Sequence, residues 1–232
     1  NELISLATET GGIADFRREE AWLKARDAAA DAAEAFMNSG YHKQNPNRLL
    51  EPFSWIDTLI TSTEWDNFLW LRDHKDAEPH LQDLARLLKQ AMDHYQVHTL
   101  PEGDWHLPYI TDADWIAADE YSEKTGVTVE EFLLMVSAAR CARISYKPFD
   151  GDASYGKELD RYNQLVTSDR VHASPLEHQG KADAMVGLVS RGSAYGVPGT
   201  MEKIWGNPHL HGNLTGYIQA RKLVPNEVYA SN

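Results

Sequence analysis

The chain has 232 residues, of which 42% are apolar and 25% charged, and it contains seven tryptophans. This composition predicts a folded protein of one or two domains and excludes a disordered tail. The formal net charge of −13 disfavours non-specific binding to nucleic acid, although a few inward-pointing arginines could still bind a small anion. No run of residues approaches the ~18 apolar positions that a membrane span needs, so no membrane partner is expected.

The chain contains one cysteine, Cys141, and therefore no internal disulfide. This is typical of the reducing cytosol, so a cytoplasmic location is expected. Cys141 lies in an alanine-rich apolar segment, which favours a small core residue; a reactive thiol is the alternative. The chain begins at Asn1 rather than Met, which suggests a piece of a longer reading frame.

Helical patterns dominate the first half of the chain. The charged, alanine-rich stretch 16–39 is followed by Gly40, which predicts a helix with a glycine stop. Residues 55–60 are apolar and β-branched, and they predict a short strand. A leucine-rich stretch over 78–95, with a proline near its start, predicts another helix, and the segment 97–109 has the composition of a linker.

Two sequences have the form of a helix capping box. Thr61-x-x-Glu64 predicts a helix over 64–74, and Thr128-x-x-Glu131 predicts one that runs to Arg140. The remaining predicted elements are helices over 155–167 and 214–223, a strand over 184–189 and a long loop over 190–212. With helices dominant and strands few, the predicted fold class is α+β, with a mixed sheet and several packed helices.

Two arginines are candidates for binding an anion. Arg48 stands just before Pro52 and could point inward to bind a phosphate, or could be a surface residue. Arg72 follows Phe68 by four residues, so it shares an apolar helical stripe and would need a partner or ligand there. The alternative for Arg72 is a cation at the C-terminal end of a helix, where the helix dipole favours it. Asn67 lies beside that stripe and could hydrogen-bond a polar ring.

The segment His172-Ala173-Ser174-Pro175-Leu176-Glu177-His178 concentrates polar side chains. Ser174 could cap a helix that starts at Pro175, and a helix start offers free N–H groups to a phosphate. The two histidines flanking Glu177 could hold a metal, but their spacing matches no familiar zinc pattern. The pair His94-x-x-x-His98 has helical spacing without an adjacent glutamate, which is more typical of surface histidines.

Near the C-terminus, Gln219, Arg221 and Glu227 place donors and acceptors around an apolar core. By pattern alone this is an ordinary end of an amphipathic helix. The chain carries no serine or cysteine hydrolase motif, no glycine-rich dinucleotide fingerprint and no Walker-type phosphate loop.

Several of these segments resemble motifs of the flavin-dependent thymidylate synthases. The resembling stretches are Ala142-Arg143-Ile144-Ser145-Tyr146, residues 172–178, Asn67-Phe68-Leu69-Trp70-Leu71-Arg72 with Ala77-Glu78, Arg48 before Pro52, and more weakly residues 216–227. In the usual members of the family the first two stretches precede the others. The chain therefore resembles a circularly permuted, phage-type member, with residues 1–98 equivalent to the usual C-terminal half and 128–232 to the usual N-terminal half of one domain.

The resemblance implies FAD-dependent reductive methylation of deoxyuridylate (dUMP) to dTMP, with methylenetetrahydrofolate and NADPH as co-substrates. It implies a fold like that of the thymidylate synthase-complementing proteins, in a homotetramer with shared active sites, in a bacterial or phage-infected cytoplasm. Arg72 would stabilise charge on the pyrimidine during catalysis. The implied flavin-binding residues are Asn67, Ser145, His172, Ser174 and Glu177, and the implied substrate-binding residues are Arg48, Arg72, Gln219, Arg221 and Glu227.

The chain departs from the family in two places. Thr61 and Thr63 stand where the usual members have polar flavin-contacting residues of other types, and the second departure is in the arginine-rich signature. The arginine-rich signature is represented only by Gln219-Ala220-Arg221 through Asn226-Glu227, and we expect a better copy upstream of Asn1. The alternatives are a catalytically inactive paralogue that binds nucleotide or flavin, and a related flavoenzyme that makes a modified phage pyrimidine.

Overall fold

The computed structural model describes residues 18–144, 151–166, 170–191 and 200–228. The chain separates into two compact units, which divide between Asp57 and Thr58. The described residues form seven α-helices and two small antiparallel sheets. This confirms the α+β class, whereas the prediction of a mixed sheet is wrong for the strands described.

The first unit is built on helices α1 (Arg18–Asn38) and α2 (Gln44–Leu50), and a 3-10 turn, Glu51–Phe53, follows α2. The predicted first helix is thus confirmed, and it ends before Gly40, whose φ of +80° is accessible to glycine at little cost.

The prediction of a strand over residues 55–60 is wrong. These residues have no regular structure, and the side chains of Trp55 and Ile56 are largely exposed. A strand needs a neighbour to accept its backbone hydrogen bonds, and none of the described strands pairs with this segment. The β-branched residues of this segment favour a strand, but no neighbouring strand among those described is available to pair with it.

The second unit contains five helices: α3 (Asp66–Arg72), α4 (Pro79–His94), α5 (Asp112–Thr125), α6 (Val129–Cys141) and α7 (Tyr155–Val166). The predicted helices at α4, α6 and α7 are confirmed. At the start of α6 the Thr128 hydroxyl accepts a hydrogen bond from the Glu131 N–H at 3.2 Å, as the capping pattern predicts. Helix α5 was not predicted, although Thr111 and Asp114 form a reciprocal capping box at its start.

The second predicted capping box, at Thr61 and Glu64, does not form. The residue before α3 is Trp65, which makes no side-chain cap, and the helix is only seven residues long. Thr61 lies five residues before the helix and bonds elsewhere, as described below. The helix is therefore confirmed only over the middle of its predicted range.

A buried core and a buried ionic network hold α5, α6 and α7 together. The core of this part is Ala118, Phe132, Leu133 and Val136, all almost completely buried. Beside it, the Arg140 guanidinium makes two hydrogen bonds of 2.8 Å to the buried Asp114 carboxylate. This pairing compensates the cost of burying the carboxylate and fixes α6 against α5.

A three-stranded sheet consists of β1 (Trp105–His106), β2 (Gly180–Ala182) and β5 (Tyr217–Gln219), in the order β1-β2-β5. A 3-10 turn, Ala220–Leu223, continues from β5. The helix predicted over 214–223 is therefore wrong, because Tyr217–Gln219 pairs with β2 instead of bonding to itself.

Strands β3 (Met185–Arg191) and β4 (Thr200–Trp205) form a separate antiparallel pair. Strand β3 confirms the strand predicted over 184–189. The loop predicted over 190–212 is wrong in part, since it contains β4 and the 3-10 turn Pro208–Leu210. Across the described ranges, the helices are too short or too polar for any of them to cross a bilayer.

Candidate functional site

The segment that carries the histidines folds as a short 3-10 turn, Ser174–Glu177. Leu176 is buried and packs with Ala138 of α6 and Ala220 of the turn after β5. This packing fixes the position of the turn Ser174–Glu177. Ser174 makes no capping hydrogen bond and no α-helix starts at Pro175, so that prediction is wrong. His172 and Ser174 both expose their side chains at the entrance to the turn.

Four of the predicted site residues meet at the end of this turn. Arg221 pairs with Glu177, and its Nε donates a 2.7 Å hydrogen bond to Glu227. Gln219 is buried, and its amide nitrogen donates to the backbone oxygen of Glu177 at 3.0 Å. Lys222 adds a 2.7 Å bond to Glu227, so the ionic cluster contains two cations and two carboxylates. Hydrogen bonds from Lys222 first, and then from Arg221, hold the pKa of Glu227 below its usual value despite opposing desolvation.

The turn also contacts the segment that precedes α3. The hydroxyl Oγ1 of Thr61 lies 3.1 Å from Nδ1 of His178, a residue 117 positions later. Nearby, the Thr215 hydroxyl donates a 2.9 Å hydrogen bond to the Glu64 carboxylate. Residues from the stretch 1–98, predicted to be equivalent to the usual C-terminal half, therefore meet residues from 128–232, predicted to be equivalent to the usual N-terminal half, on one surface of the second unit.

Two cavities open beside this contact. The first, which we call the hydroxyl cavity, has a volume of about 180 Å³ and is lined by Thr61, Ser62, Thr63, His106, Leu214 and Tyr217. The second, which we call the aromatic cavity, has a volume of about 310 Å³. Its polar and aromatic walls are Tyr95, His98, Trp105, His106 and Tyr217, and three aliphatic side chains complete it. His106 on β1 and Tyr217 on β5 belong to both, so the two cavities adjoin.

The two histidines near these cavities are poor proton acceptors. Desolvation by neighbouring groups lowers the pKa of His106, although the residue as a whole is exposed. Burial also lowers the pKa of His178; the nearby His106 adds to this effect and Glu177 opposes it. Both imidazoles are therefore predominantly neutral at pH 7, and each can donate one hydrogen bond and accept another.

The remaining predicted site residues lie apart from this cluster or cannot be assigned to it. Asn67 and Arg72 are exposed on α3, which has no buried residue, so the prediction that Arg72 lies on a buried stripe is wrong. Arg72 instead occupies the last turn of its helix, the alternative that the helix dipole favours. Within the described ranges its guanidinium makes no ion pair or hydrogen bond with protein groups.

Arg48 belongs to the first unit, and Ser145 lies outside the described residues. The Arg48 guanidinium is exposed and lies 3.8 Å from the Glu51 carboxylate. It is thus a surface residue of its own unit, as the second interpretation of this position predicted.

A second histidine–carboxylate pair, His211 and Asp183, is buried beside β5. Nε2 of His211 lies 2.8 Å from Asp183, and Nδ1 accepts a hydrogen bond from the Gly216 N–H at 3.1 Å. Since both ring nitrogens are engaged by protein groups, this pair has no position left for a substrate. Among the described residues, no group of three or more His, Cys, Asp or Glu side chains is arranged to hold a metal ion.

Sequence reasoning missed His106, Tyr217 and Ser62 as cavity residues, whereas Thr61 and Thr63 were noted only as departures from polar flavin-contacting positions of the family. His106 stands in a segment predicted as a linker, and Tyr217 in one predicted as a helix. The usable signal was Trp105-His106 as alternating residues among turn formers, which is the pattern of a very short strand. Comparison with protein-family models, with curated proteins and with solved structures finds no match.

Proposed function

We propose that this chain is a circularly permuted flavin-dependent thymidylate synthase, which reductively methylates dUMP to dTMP using FAD, methylenetetrahydrofolate and NADPH. The observation that carries the proposal is the contact between Thr61 and His178. A permuted enzyme of this family needs its two motif regions to converge in space, and this contact joins them across 117 residues. The protein would act in a bacterial or phage-infected cytoplasm, as a homotetramer.

The cavities support the ring-binding part of this proposal. A flavin or a pyrimidine ring needs apolar walls with a few hydrogen-bonding groups, and both cavities have this character. When bound, FAD would supply the hydride chemistry, which no side chain can provide. The chain's own contribution would be to bind and orient the rings, with Thr61, His178 and Glu177 beside them and Asn67, His172, Ser174 and Ser145 as further flavin contacts.

The cations have different roles in the proposal. Arg72 is free of protein partners among the described residues, so its guanidinium is available to stabilise negative charge on a pyrimidine carbonyl. Arg48, with one long and exposed ion pair, is available to a nucleotide phosphate. Arg221 already bonds two carboxylates that neutralise its charge, so it is a weaker candidate for binding a phosphate.

Two measurements test the proposal directly. The purified protein should be yellow from bound FAD, and it should release tritium from dUMP labelled at C5 when methylenetetrahydrofolate and NADPH are present. Arg72→Ala should abolish tritium release while leaving the circular dichroism spectrum unchanged, because it removes charge stabilisation from the transition state. The matched control is Arg26→Ala, an exposed arginine of α1. An unchanged rate for Arg72→Ala would contradict the assignment of this residue.

A second candidate function is that of a catalytically inactive relative that binds flavin or nucleotide. The observation that favours it is the cluster in which Glu177 and Glu227 neutralise the charge of Arg221, which weakens the attraction of this cation for an anion. Such a protein would bind FAD but would release no tritium under any combination of co-substrates. If methylenetetrahydrofolate were consumed and a product other than dTMP appeared, a pyrimidine-modifying reaction would replace both.

A further inference from the structure

Strands β3 and β4 form a ribbon that no third described strand joins. The base of the ribbon is held in place, because the Asp183 carboxylate accepts a 2.8 Å hydrogen bond from the Asn207 N–H and the Ala184 carbonyl accepts one of 2.9 Å from the Gly206 N–H. Beyond this base, β3 packs along β4 and along no other described helix or strand to a comparable extent. A two-stranded ribbon by itself is only marginally stable in water, so this one needs further pairing or cover.

The ribbon exposes apolar side chains on both of its faces. Val186 and Leu188 are 63% and 54% exposed, and Val189, which points to the face opposite Leu188, is 42% exposed. On β4, Met201 and Ile204 are similarly exposed, at 61% and 44%. In a chain of which 25% of the residues are charged, such a concentration of exposed apolar side chains indicates a surface that another molecule covers.

The two strands of the ribbon differ in charge. Strand β3 carries no charged residue from Met185 to Ser190, whereas β4 carries Glu202 and Lys203 at its centre. Charged side chains on an edge strand disfavour pairing with another chain, so β4 is the protected edge. The backbone of β3 is therefore the edge that is open to pairing.

A second copy of the chain fits the β3 edge by symmetry. When two identical strands pair antiparallel about a two-fold axis, the residue at the axis faces its own copy. An axis at Leu188, in the part of β3 with regular register, places Gly187 opposite Val189 of the other copy, so every facing pair is uncharged. The same pairing centred on Glu202 or Lys203 would place like charges directly opposite each other, which is unfavourable.

We infer that β3 is an interface strand, which pairs antiparallel with β3 of a second copy about a two-fold axis at Leu188 and forms a four-stranded sheet in the order β4-β3-β3-β4. The net charge of −13 on each copy opposes association, and the uncharged strand edge is where two copies can approach at the least electrostatic cost. The inference goes beyond the proposed function, which requires an oligomer but assigns no interface.

Charged substitutions at Leu188 test the two-fold axis. Leu188→Lys and Leu188→Glu each place like charges opposite one another, so each variant alone should weaken association about tenfold or more. The average mass in sedimentation equilibrium should fall to about half of the wild-type value at a concentration where the wild type is associated. An equimolar mixture of the two variants should regain the wild-type mass, because opposite charges then face each other.

The control for these variants is Ile116→Lys, at an exposed apolar residue of α5, which should associate like the wild type. Since Leu188 and Ile116 are both exposed, all three variants should keep the wild-type circular dichroism spectrum. A monomeric wild type, single variants that associate as tightly as the wild type, or a mixture that does not regain the wild-type mass would overturn the inference.

Disulfide cross-linking tests which strand lies at the interface. In a Cys141→Ala background, Leu188→Cys should form an intermolecular disulfide on oxidation, because Cβ atoms of facing residues lie about 5 Å apart. Met201→Cys is the matched control, since Met201 is similarly exposed but lies on β4. Its two copies would be separated by three strand spacings, at least about 14 Å, which a disulfide cannot span. Equal cross-linking of the two variants on a non-reducing gel, or none of Leu188→Cys, contradicts the β3 interface.

The outcome is distinguishable from that of the proposed function. Tritium release from dUMP by a protein whose β3 variants associate normally would sustain the activity and overturn the interface. Association that depends on Leu188, in a protein that releases no tritium, would sustain the interface and overturn the activity.

Discussion

Thr61 and His178 are 117 residues apart in the sequence, yet Oγ1 of one lies 3.1 Å from Nδ1 of the other. Both side chains are partly buried, so the interaction is shielded from competition by water. It fixes the irregular segment before α3 onto the turn that carries Glu177. The wall of the hydroxyl cavity consequently depends on a hydrogen bond between the two halves of the sequence.

We predict that Thr61→Val lowers the free energy of unfolding by about 1 kcal/mol, since valine keeps the shape but cannot hydrogen-bond His178. Urea denaturation followed by fluorescence measures this difference. Thr63→Val is the control, because Thr63 borders the same cavity, is exposed, and makes no side-chain hydrogen bond to any described residue. If the two variants were equally stable, the contact would contribute nothing to the fold.

The elements that the sequence predicted well are those that carry their own signals. Helix α4 begins with Glu78 before Pro79, and the Glu78 carboxylate accepts a 2.9 Å hydrogen bond from the Leu81 N–H. The Thr128 hydroxyl likewise accepts a hydrogen bond at the start of α6, and Gly40, with a positive φ, follows the end of α1. Such signals act within four residues of the chain, so they can be recognised without knowing the tertiary structure.

The elements that were predicted wrongly depend on distant partners. Residues 214–223 have a spacing compatible with a helix, but Tyr217–Gln219 finds a better partner in Gly180–Ala182, and a three-residue strand leaves almost no periodicity to detect. Thr61 has the sequence context of a helix cap, but its hydroxyl is engaged by His178. In both cases tertiary contacts outweigh the local preference.

For the candidate site, the sequence indicated which residues take part, but distant contacts determine where they lie. Glu177, Gln219, Arg221 and Glu227 were all singled out from the sequence, and the structure brings them together around one ionic cluster. Their positions are set by the pairing of β5 with β2 and by the packing of Leu176 on α6, neither of which is visible in the sequence.

The lowered pKa values of His106 and His178 predict a loss of stability in mild acid. The pKa values of His106 and His178 in the folded protein lie below the ordinary 6.5, so the unfolded chain binds more protons in this window. The free energy of unfolding therefore rises with pH through the window and falls as the pH drops below about 6.5. The carboxylates with lowered pKa values, such as Glu227, lose their contribution only below about 4.5.

Urea denaturation at about pH 7.5 and about pH 5.5 measures this effect, because that interval isolates the histidines from the carboxylates. His178→Gln should reduce the difference between the two pH values, since glutamine does not titrate yet can still hydrogen-bond Thr61. His80→Gln is the control, an exposed histidine of α4. If the free energy of unfolding of His178→Gln depended on pH as steeply as that of the wild type, the effect would arise from groups other than His178.

The ion pair between Arg140 and Asp114 predicts a large effect of a single substitution. Arg140→Leu should lower the free energy of unfolding by about 3 kcal/mol, because the almost fully buried Asp114 carboxylate loses its bidentate partner. Thr111 and Tyr155 would remain as its hydrogen-bond donors. Lys124→Ala, which breaks an exposed pair with Glu120 on α5, should change stability by less than about 0.5 kcal/mol. Thermal or urea denaturation of the two variants measures whether losing the buried ion pair destabilises the protein more than losing the exposed one.

The position of Cys141 predicts an unreactive thiol in the native protein. Its side chain is buried at the end of α6, and burial raises the pKa of the thiol to about 11, against weaker opposing hydrogen bonds from Ser137 and Gln179. Because only the thiolate attacks alkylating reagents, iodoacetamide at about pH 8 should modify less than about a tenth of the native protein in the time that it fully modifies the urea-unfolded chain.

Mass spectrometry of the intact chain counts the alkyl groups added, and the single cysteine makes the count unambiguous. The variant Gln179→Leu removes the amide that donates to the Cys141 sulfur at 3.4 Å, a hydrogen bond that lowers the pKa of the thiol, and places an apolar side chain in the same buried space. If burial dominates, the thiol stays unreactive in the folded variant. Rapid alkylation of the folded wild type would instead show that the thiol is accessible and ionised, in the manner of a functional cysteine.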